Sequence, residues 1–236
     1  MTSVALASAD GISIHGSDEV LHRYPNLRLG MVRAQGLKAA ATRLDSDTIL
    51  AAVASEVRTA FEGPDAIVAD EIIAGWRAAM KASGLKPAAH RSSVEQLLRR
   101  MQSGSFSSTG LPIVDLYCAV SARHRAPLGA YDAARVDGRP ISLRLSLPTD
   151  RFHPLSGDQQ DVASNVPVYA IDSEVICWGF NVRDSLTTAL SERTDDAIFV
   201  GEAVTAPQVA CLRNALTDLA EHLRSAGADV MGSTIP

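Results

Sequence analysis

Apolar residues recur three and four positions apart through much of the first half of the chain, and alternate with polar ones through much of the second. In the first half, Leu50, Val53, Val57 and Phe61 share one side of a helix, with Asp47 placed as its N-cap and Gly63 and Pro64 as its stop. Ile72, Ile73, Trp76 and Met80 predict a second helix over residues 69–83, punctuated by Gly84 and Pro87. A third begins at Ser92, three residues before Glu95, which is the capping-box spacing. Val94, Leu97, Leu98 and Met101 form its buried side. The central stretch, residues 111–132, reads LPIVDLYCAVSARHRAPLGAYD. Pro112 suits a first helical turn, and Ile113, Leu116 and Val120 keep helical spacing. HRAPLG ends that helix, and a Gly129–Ala130–Tyr131 bend leads to Asp132. Asp115 lies beside the apolar stripe, where an unpaired carboxylate is costly and a hydrogen-bonding duty is expected.

The period then changes. Residues 27–32 predict a first strand after a turn at Tyr24, Pro25 and Asn26. Ile141, Leu143 and Leu145 alternate with Ser142, Arg144 and Ser146 in a half-buried strand. Residues 167–171 and 174–178 are two short strands around an Asp172–Ser173 turn, and residues 197–200 are another. Residues 151–161 read as an exposed loop, and residues 179–196 are polar and rich in turns. Pro207 opens a last helix whose core side is Val209, Leu212, Leu216, Leu219 and Leu223. The order predicts an α+β fold, a mixed or antiparallel sheet flanked by helices, with residues 24–230 as one domain. Residues 1–10 are small and polar, and residues 1–23 are expected to form a flexible segment.

Composition narrows the class. A chain of 236 residues buries enough surface to hold a core without disulfides or metal. Three cysteines with no CxxC argue against a cysteine-rich zinc site and suit a reducing compartment. No signal-peptide pattern or membrane-length apolar run is present, so a cytoplasmic protein with no membrane partner is expected. A net charge of −5 does not imply strong non-specific binding to nucleic acid, although a local basic face can still contact one RNA end.

Motifs for dinucleotides, P-loop phosphates, zinc proteases and serine hydrolases are missing, and no cofactor or metal is expected. Cys118 and Cys177 sit in apolar runs and read as buried thiols, or as nucleophiles if a base lies close. His124, where the central helix ends, and His153, in the exposed loop, are candidate acids or bases, or surface residues. The densest polar segment is NVRDSLTT, residues 181–188. Asn181 and Arg183 carry groups suited to orienting a carboxylate, phosphate or ribose, and Asp184 is expected either to share the ligand role of this segment or to pair with Arg183 as a solvated salt bridge. Arg91, with Lys86, His90, Arg99 and Arg100, forms the most basic neighbourhood, read as a solvated face or as a phosphate contact for an RNA end.

HRSSVEQLLRRM, LPIVDLYCAVSARHRAPLGAYD, ISLRL, PVYAIDSEVICWGFNVR and the AIFV stretch together resemble the stand-alone B3/B4 domain proteins. These are similar to the editing module of the bacterial phenylalanyl-tRNA synthetase beta subunit. The resemblance runs from about Tyr24 to Val204. It implies an α+β domain with a cleft between sheet and helices, and hydrolysis of the ester joining an amino acid to the terminal adenosine of a tRNA. On that resemblance, Asn181 and Arg183 are the expected catalytic residues, and Arg91, His124, Gly129, Tyr131, Asp132 and Trp178 are the expected substrate contacts. Gly129 stands where the synthetase pattern has a histidine, Cys118 where stand-alone relatives often have asparagine, and Gly179 where their pattern tends to be basic. The expected partner is the 3′ end of an aminoacyl-tRNA or a small amino-acid-like ligand. The alternatives are a non-catalytic module binding such ligands, or an enzyme acting on a small ester or amide.

Overall fold

The computed structural model describes residues 3–234. The first half holds β1 (Ser3–Ala9), β2 (Ile12–Ser17), α1 (Asp18–Arg23), β3 (Arg28–Gln35), α2 (Leu37–Ala41), α3 (Ser46–Ala60), α4 (Pro64–Ala69), α5 (Glu71–Ala82), α6 (Ser93–Gln102) and α7 (Pro112–His124). The second half adds β4 (Leu128–Asp132), α8 (Ala133–Val136), β5 (Ile141–Leu145), β6 (Arg151–Phe152), β7 (Gln160–Asp161), β8 (Pro167–Ile171) and β9 (Glu174–Trp178). It closes with β10 (Arg183–Asp184), β11 (Asp196–Ala203), α9 (Ala206–Ser225) and β12 (Asp229–Thr234). No helix among the described residues is long and apolar enough to cross a membrane.

Two sheets result, as an α+β fold with mixed and antiparallel pairing requires. The larger runs β1-β2-β5-β8-β9-β6-β7. Its β2–β5 and β6–β9 pairs are parallel and its other pairs antiparallel. β6 and β10 divide one edge of β9 between them, so Asp184 pairs with Cys177. The smaller sheet, β12-β3-β11-β4, is antiparallel throughout.

β11 decides the layering, because it is buried on both faces. Ala197, Phe199 and Ala203 pack with Leu212, Leu216 and Leu219 of α9 and with Leu116 and Val120 of α7. Ile198 and Val200 point the other way, into a larger core with Trp76, Leu98, Tyr131 and Tyr169. Full burial of a side chain such as Phe199 stabilises by roughly 2 kcal/mol. Gly201 is fixed by close approach, because a Cβ there would lie 2.7 Å from Leu128 Cδ2 and 2.9 Å from the Pro127 carbonyl.

Several sequence expectations need correction. The segment expected to be flexible is ordered over residues 3–23 as β1, β2 and α1, with Ile12, Ile14 and Val20 in the core. Its small residues hid a strand: Ala7 and Ala9 are buried in the core although alanine carries little hydrophobic signal. Residues 1 and 2 lie outside the described part. Pairing continues to Thr234, past the expected boundary at 230, because β12 joins β3. The α3 N-cap is Asp45, which accepts from Thr48 N at 3.2 Å, and Asp47 lies in the first turn. Residues 64–69 form a separate α4, because Asp70 caps α5 by accepting from Ile72 N and Ile73 N. Residues 128–132 are a strand, not a bend. The loop expected at 151–161 contributes the short strands β6 and β7.

Candidate functional site

Side-chain alternation places one group of residues between the two sheets. On β4, Leu128 and Ala130 turn toward α7 and α9, leaving Gly129 and Tyr131 on the other face. The register sets Gly129 beside Val200, and Glu202 lies two residues on along the same face of β11. Opposite them the larger sheet presents Tyr169, Cys177 and Asp184, which are neighbours across β8, β9 and β10. A cavity of about 20 Å³ lies among these residues.

The turn after β9 closes it. Gly179 at φ +71° and Phe180 at φ +62° are both left-handed. For a bulky residue that conformation is strained and must be held by its surroundings. The Phe180 ring is fully buried, edge-on to Tyr24 at 4.8 Å and Trp76 at 6.2 Å. The Cys177 thiol donates to the Phe180 carbonyl at 2.7 Å. The turn delivers Asn181 to the cavity. Its Nδ2 donates to Glu202 Oε1 at 3.3 Å, and its backbone and side-chain oxygens accept from Ser93 N at 3.0 and 3.3 Å. The start of α6 is thereby tied to the cavity, which Ser93 also lines. Ser93 Oγ and Tyr169 Oη are buried without a hydrogen-bond partner.

The cavity's charge is unusual. It is lined by Asp184 and Glu202, with no Lys, Arg or His among its lining residues. Burial pushes the Asp184 carboxyl up to about 6, an effect partly offset by the Cys177 thiol. Burial pushes Glu202 up to about 8; Asn181 favours its charged form and Asp184 disfavours it. Tyr169 favours the charged form of Glu202, although its hydroxyl reaches no partner in full hydrogen-bond geometry. Burial and the neighbouring carboxylate of Asp184 raise Cys177, and burial pushes Cys118 up to about 12. Neither thiol supplies a thiolate near neutral pH.

A larger groove of about 430 Å³ adjoins this cavity. Ser93, Leu128 and Asp184 line both. Tyr117 and Cys118 of α7, Arg100 and Gln96 of α6, the turn at Pro154–Ser156 and Arg183 make its other walls. Arg183 is exposed, lies 5.6 Å over the Phe152 ring and donates to Gln160 Oε1 at 3.2 Å. Adjacent residues of a strand face opposite sides, so Arg183 and Asp184 do not form the ion pair the sequence allowed.

The structure thus brings Asn181, Gly129 and Tyr131 to the cavity, with Arg183 on the adjoining groove. The remaining expected contacts lie elsewhere. Asp132 caps α8 through Ala134 N at 3.0 Å and accepts from Thr194 Oγ1 at 2.6 Å, a loop-shaping role. His124 binds Asp218 of α9 at 2.8 Å, away from both cavity and groove, because the end of α7 packs on α9. Arg91 stands 3.7 Å from Glu95, a fully buried carboxylate that also takes Arg77 at 2.9 Å and Arg99 at 3.0 Å. Glu95 is therefore turned from the reciprocal capping bond toward guanidinium groups, while Ser92 Oγ still accepts from its amide at 3.4 Å. Trp178 packs edge-on to His90 at 5.1 Å. His153 pairs with Glu174 at 3.3 Å. Asp115 accepts from Ser108 Oγ at 2.6 Å and from Thr109 N and Oγ1 at 2.8 and 2.9 Å, tying the preceding loop to α7.

Glu202, Tyr169 and Ser93 were missed as site residues, and Asp184 was not distinguished from the rest of its polar segment. A signal was present for one of them: in Ile198–Val200–Glu202, alternation puts an acid on the inward face of an apolar strand.

A family model described as the B3/4 domain matches residues 75–220. Among solved structures, the chain is similar to an N-terminal fragment of the phenylalanyl-tRNA synthetase beta-subunit from Pyrococcus horikoshii, at 11% identity and a TM-score of 0.46. That likeness covers 97% of this chain and 54% of the other, so the chain spans about half the length of that fragment. A search of curated proteins gave no match.

Proposed function

Because the chain belongs to the B3/4 domain family, we propose that it is an editing-type hydrolase acting in trans, cleaving the ester between an amino acid and the 3′ end of a tRNA. The observation that carries this reading is Asp184. Its carboxyl, pushed up to about 6, stands where the small cavity meets the groove. A base with a pKa just below the working pH is largely ionised and still takes up a proton effectively.

In this reading the ester carbonyl lies at the junction beside Ser93, whose unpartnered hydroxyl donates to the carbonyl oxygen as negative charge develops there. Asp184 takes a proton from the attacking water as the new C–O bond forms. It returns that proton to the ribose oxygen as the ester C–O bond breaks. The products are a free amino acid and a tRNA with both terminal hydroxyls. Asn181 acts as a positioning residue, holding the start of α6 and Glu202 in place. Arg183 and Arg100, on the groove walls, suit the phosphate and ribose of the terminal nucleotide.

The test is single-turnover hydrolysis of a panel of mischarged tRNAs with enzyme in excess. Faster loss of ester for at least one member is expected, and the uncatalysed rate across the whole panel would sink the reading.

One observation favours a second reading, a non-catalytic ligand-binding module: no histidine lines either the cavity or the groove, and the cysteines there stay protonated. That reading expects saturable binding of the charged tRNA end with no turnover.

A further inference from the structure

We propose that the small cavity seats a free primary ammonium, the α-amino group of an aminoacyl substrate, so that the protein accepts aminoacyl esters with an unblocked amino group and rejects N-acylated ones. The α-position rests on the reading of the groove as the seat of an aminoacyl ester. With the carbonyl at the junction, the amino group is two bonds away and reaches into the cavity.

Three observations converge on an ammonium. The first is size. About 20 Å³ admits a group the size of a water or an ammonium, and a phenol, imidazole or guanidinium is too large. The second is charge. Asp184 and Glu202 both line the cavity, and no cationic side chain lines it. The raised pKa of Glu202 fits a carboxyl beside a second carboxylate that holds a proton near neutral pH until a cation replaces it. The third is an orphaned atom. Tyr169 is 1% exposed, it lines the cavity, and its hydroxyl has no hydrogen-bond partner. An ammonium has three donors and no acceptor, which matches the oxygens of Asp184, Glu202 and Tyr169. A neutral hydroxyl of the same size leaves the paired carboxylates uncompensated. An N-acyl group removes the charge and adds a carbonyl for which the cavity has no room.

The experiment uses probes that cannot be hydrolysed as esters. Binding of L-alaninamide, L-lactamide and N-acetyl-L-alaninamide to the full chain is measured by titration calorimetry. Alaninamide is expected to bind at least tenfold more tightly than either of the others. Glu202→Gln is expected to weaken alaninamide at least tenfold and leave lactamide within about twofold, with Tyr169→Phe as a second variant should the first not fold. Equal binding of alaninamide and lactamide, or no saturable binding of alaninamide, overturns the proposal. A deacylation assay separates this inference from the hydrolase reading. Hydrolysis of N-acetyl-aminoacyl-tRNA as fast as the unblocked form overturns the ammonium site and leaves the hydrolase intact. Tight alaninamide binding with no hydrolysis of any charged tRNA does the reverse.

Discussion

Gly129 and Asp184 face each other across the mouth of the cavity: a Cβ on Gly129 would stand 3.7 Å from Asp184 Oδ1 and 3.9 Å from Tyr131 Oη. Those are ordinary contact distances, and Gly129 lies in a regular strand without positive φ. A methyl group therefore fits the fold and occupies space above the carboxylate. Gly129→Ala is expected to leave the melting temperature within about 2 °C of the parent, since a substitution away from strained or tightly packed sites costs roughly 0.5 kcal/mol or less. It should lower deacylation at least fivefold. A variant that melts normally and hydrolyses at the parent rate would show that the cavity mouth is not used.

Replacing Asp184 by asparagine keeps the shape and removes the base. Loss of a general base typically costs about 10²-fold or more in rate. The parent kcat/KM, which reports the free protein, should rise with pH and level off above about 6, because Asp184 must be ionised to accept a proton. In Asp184→Asn that inflection should vanish along with most of the activity. A pH–rate profile of both proteins decides it. An inflection retained in the variant assigns the base to another group.

How much of this was legible in the sequence depends on whether each residue's role is local. The stripe Leu50, Val53, Val57 and the stripe Leu212, Leu216, Leu219 specify helices from spacing alone, and both are buried as expected. Asp115 was readable as an acid needing partners, because one helix turn shows its apolar setting. Glu202 and Asp184 were not readable in the same way. Their meaning comes from β11 and β10 being brought to one cavity by separate sheets, and that pairing spans residues far apart in the chain. β1 escaped notice because Ala7 and Ala9 owe their burial to what packs on them, not to their own hydrophobicity. His124 misled because the end of a helix looks alike whether it borders a cleft or, as here, a neighbouring helix carrying Asp218.

Glu95 is a second place where tertiary contacts decide. It is fully buried and accepts from Arg77 and Arg99, with Arg91 near by. Hydrogen bonds to a charged group contribute roughly 1.5–3 kcal/mol. Glu95→Ala is expected to destabilise the protein by about 2–3 kcal/mol in urea unfolding and to loosen the start of α6, where Ser93 sits. A change below about 0.5 kcal/mol would show that the guanidinium groups are equally satisfied by water.

The acids of the cavity should give the protein a stability that falls as pH rises. In the unfolded chain Glu202 ionises near 4.5, and in the folded protein burial holds its proton to about 8. Between those values the folded state binds one more proton than the unfolded state, so raising the pH favours unfolding. Asp184 adds the same sign between 3.8 and about 6. Asp196 works oppositely at the acid end. Arg33 and Gln35 hold its carboxyl below 3.8 against the opposing effect of burial, so the stability it contributes is lost only as pH falls through that lowered value. The window set by the cavity acids is therefore about pH 3.8 to 8, with Glu202 alone acting above about 6. A tenfold difference in proton affinity between the folded and unfolded chain is worth about 1.4 kcal/mol, so a raised pKa at either acid is enough to move the melting temperature. Thermal melts at matched ionic strength should show the melting temperature decreasing from pH 5 to pH 9. Glu202→Gln, which stays neutral throughout, should flatten the upper part of that decline and melt higher than the parent at pH 9. A parent melting temperature that is level across the range would mean that the two carboxylates are already ionised and compensated in the folded protein.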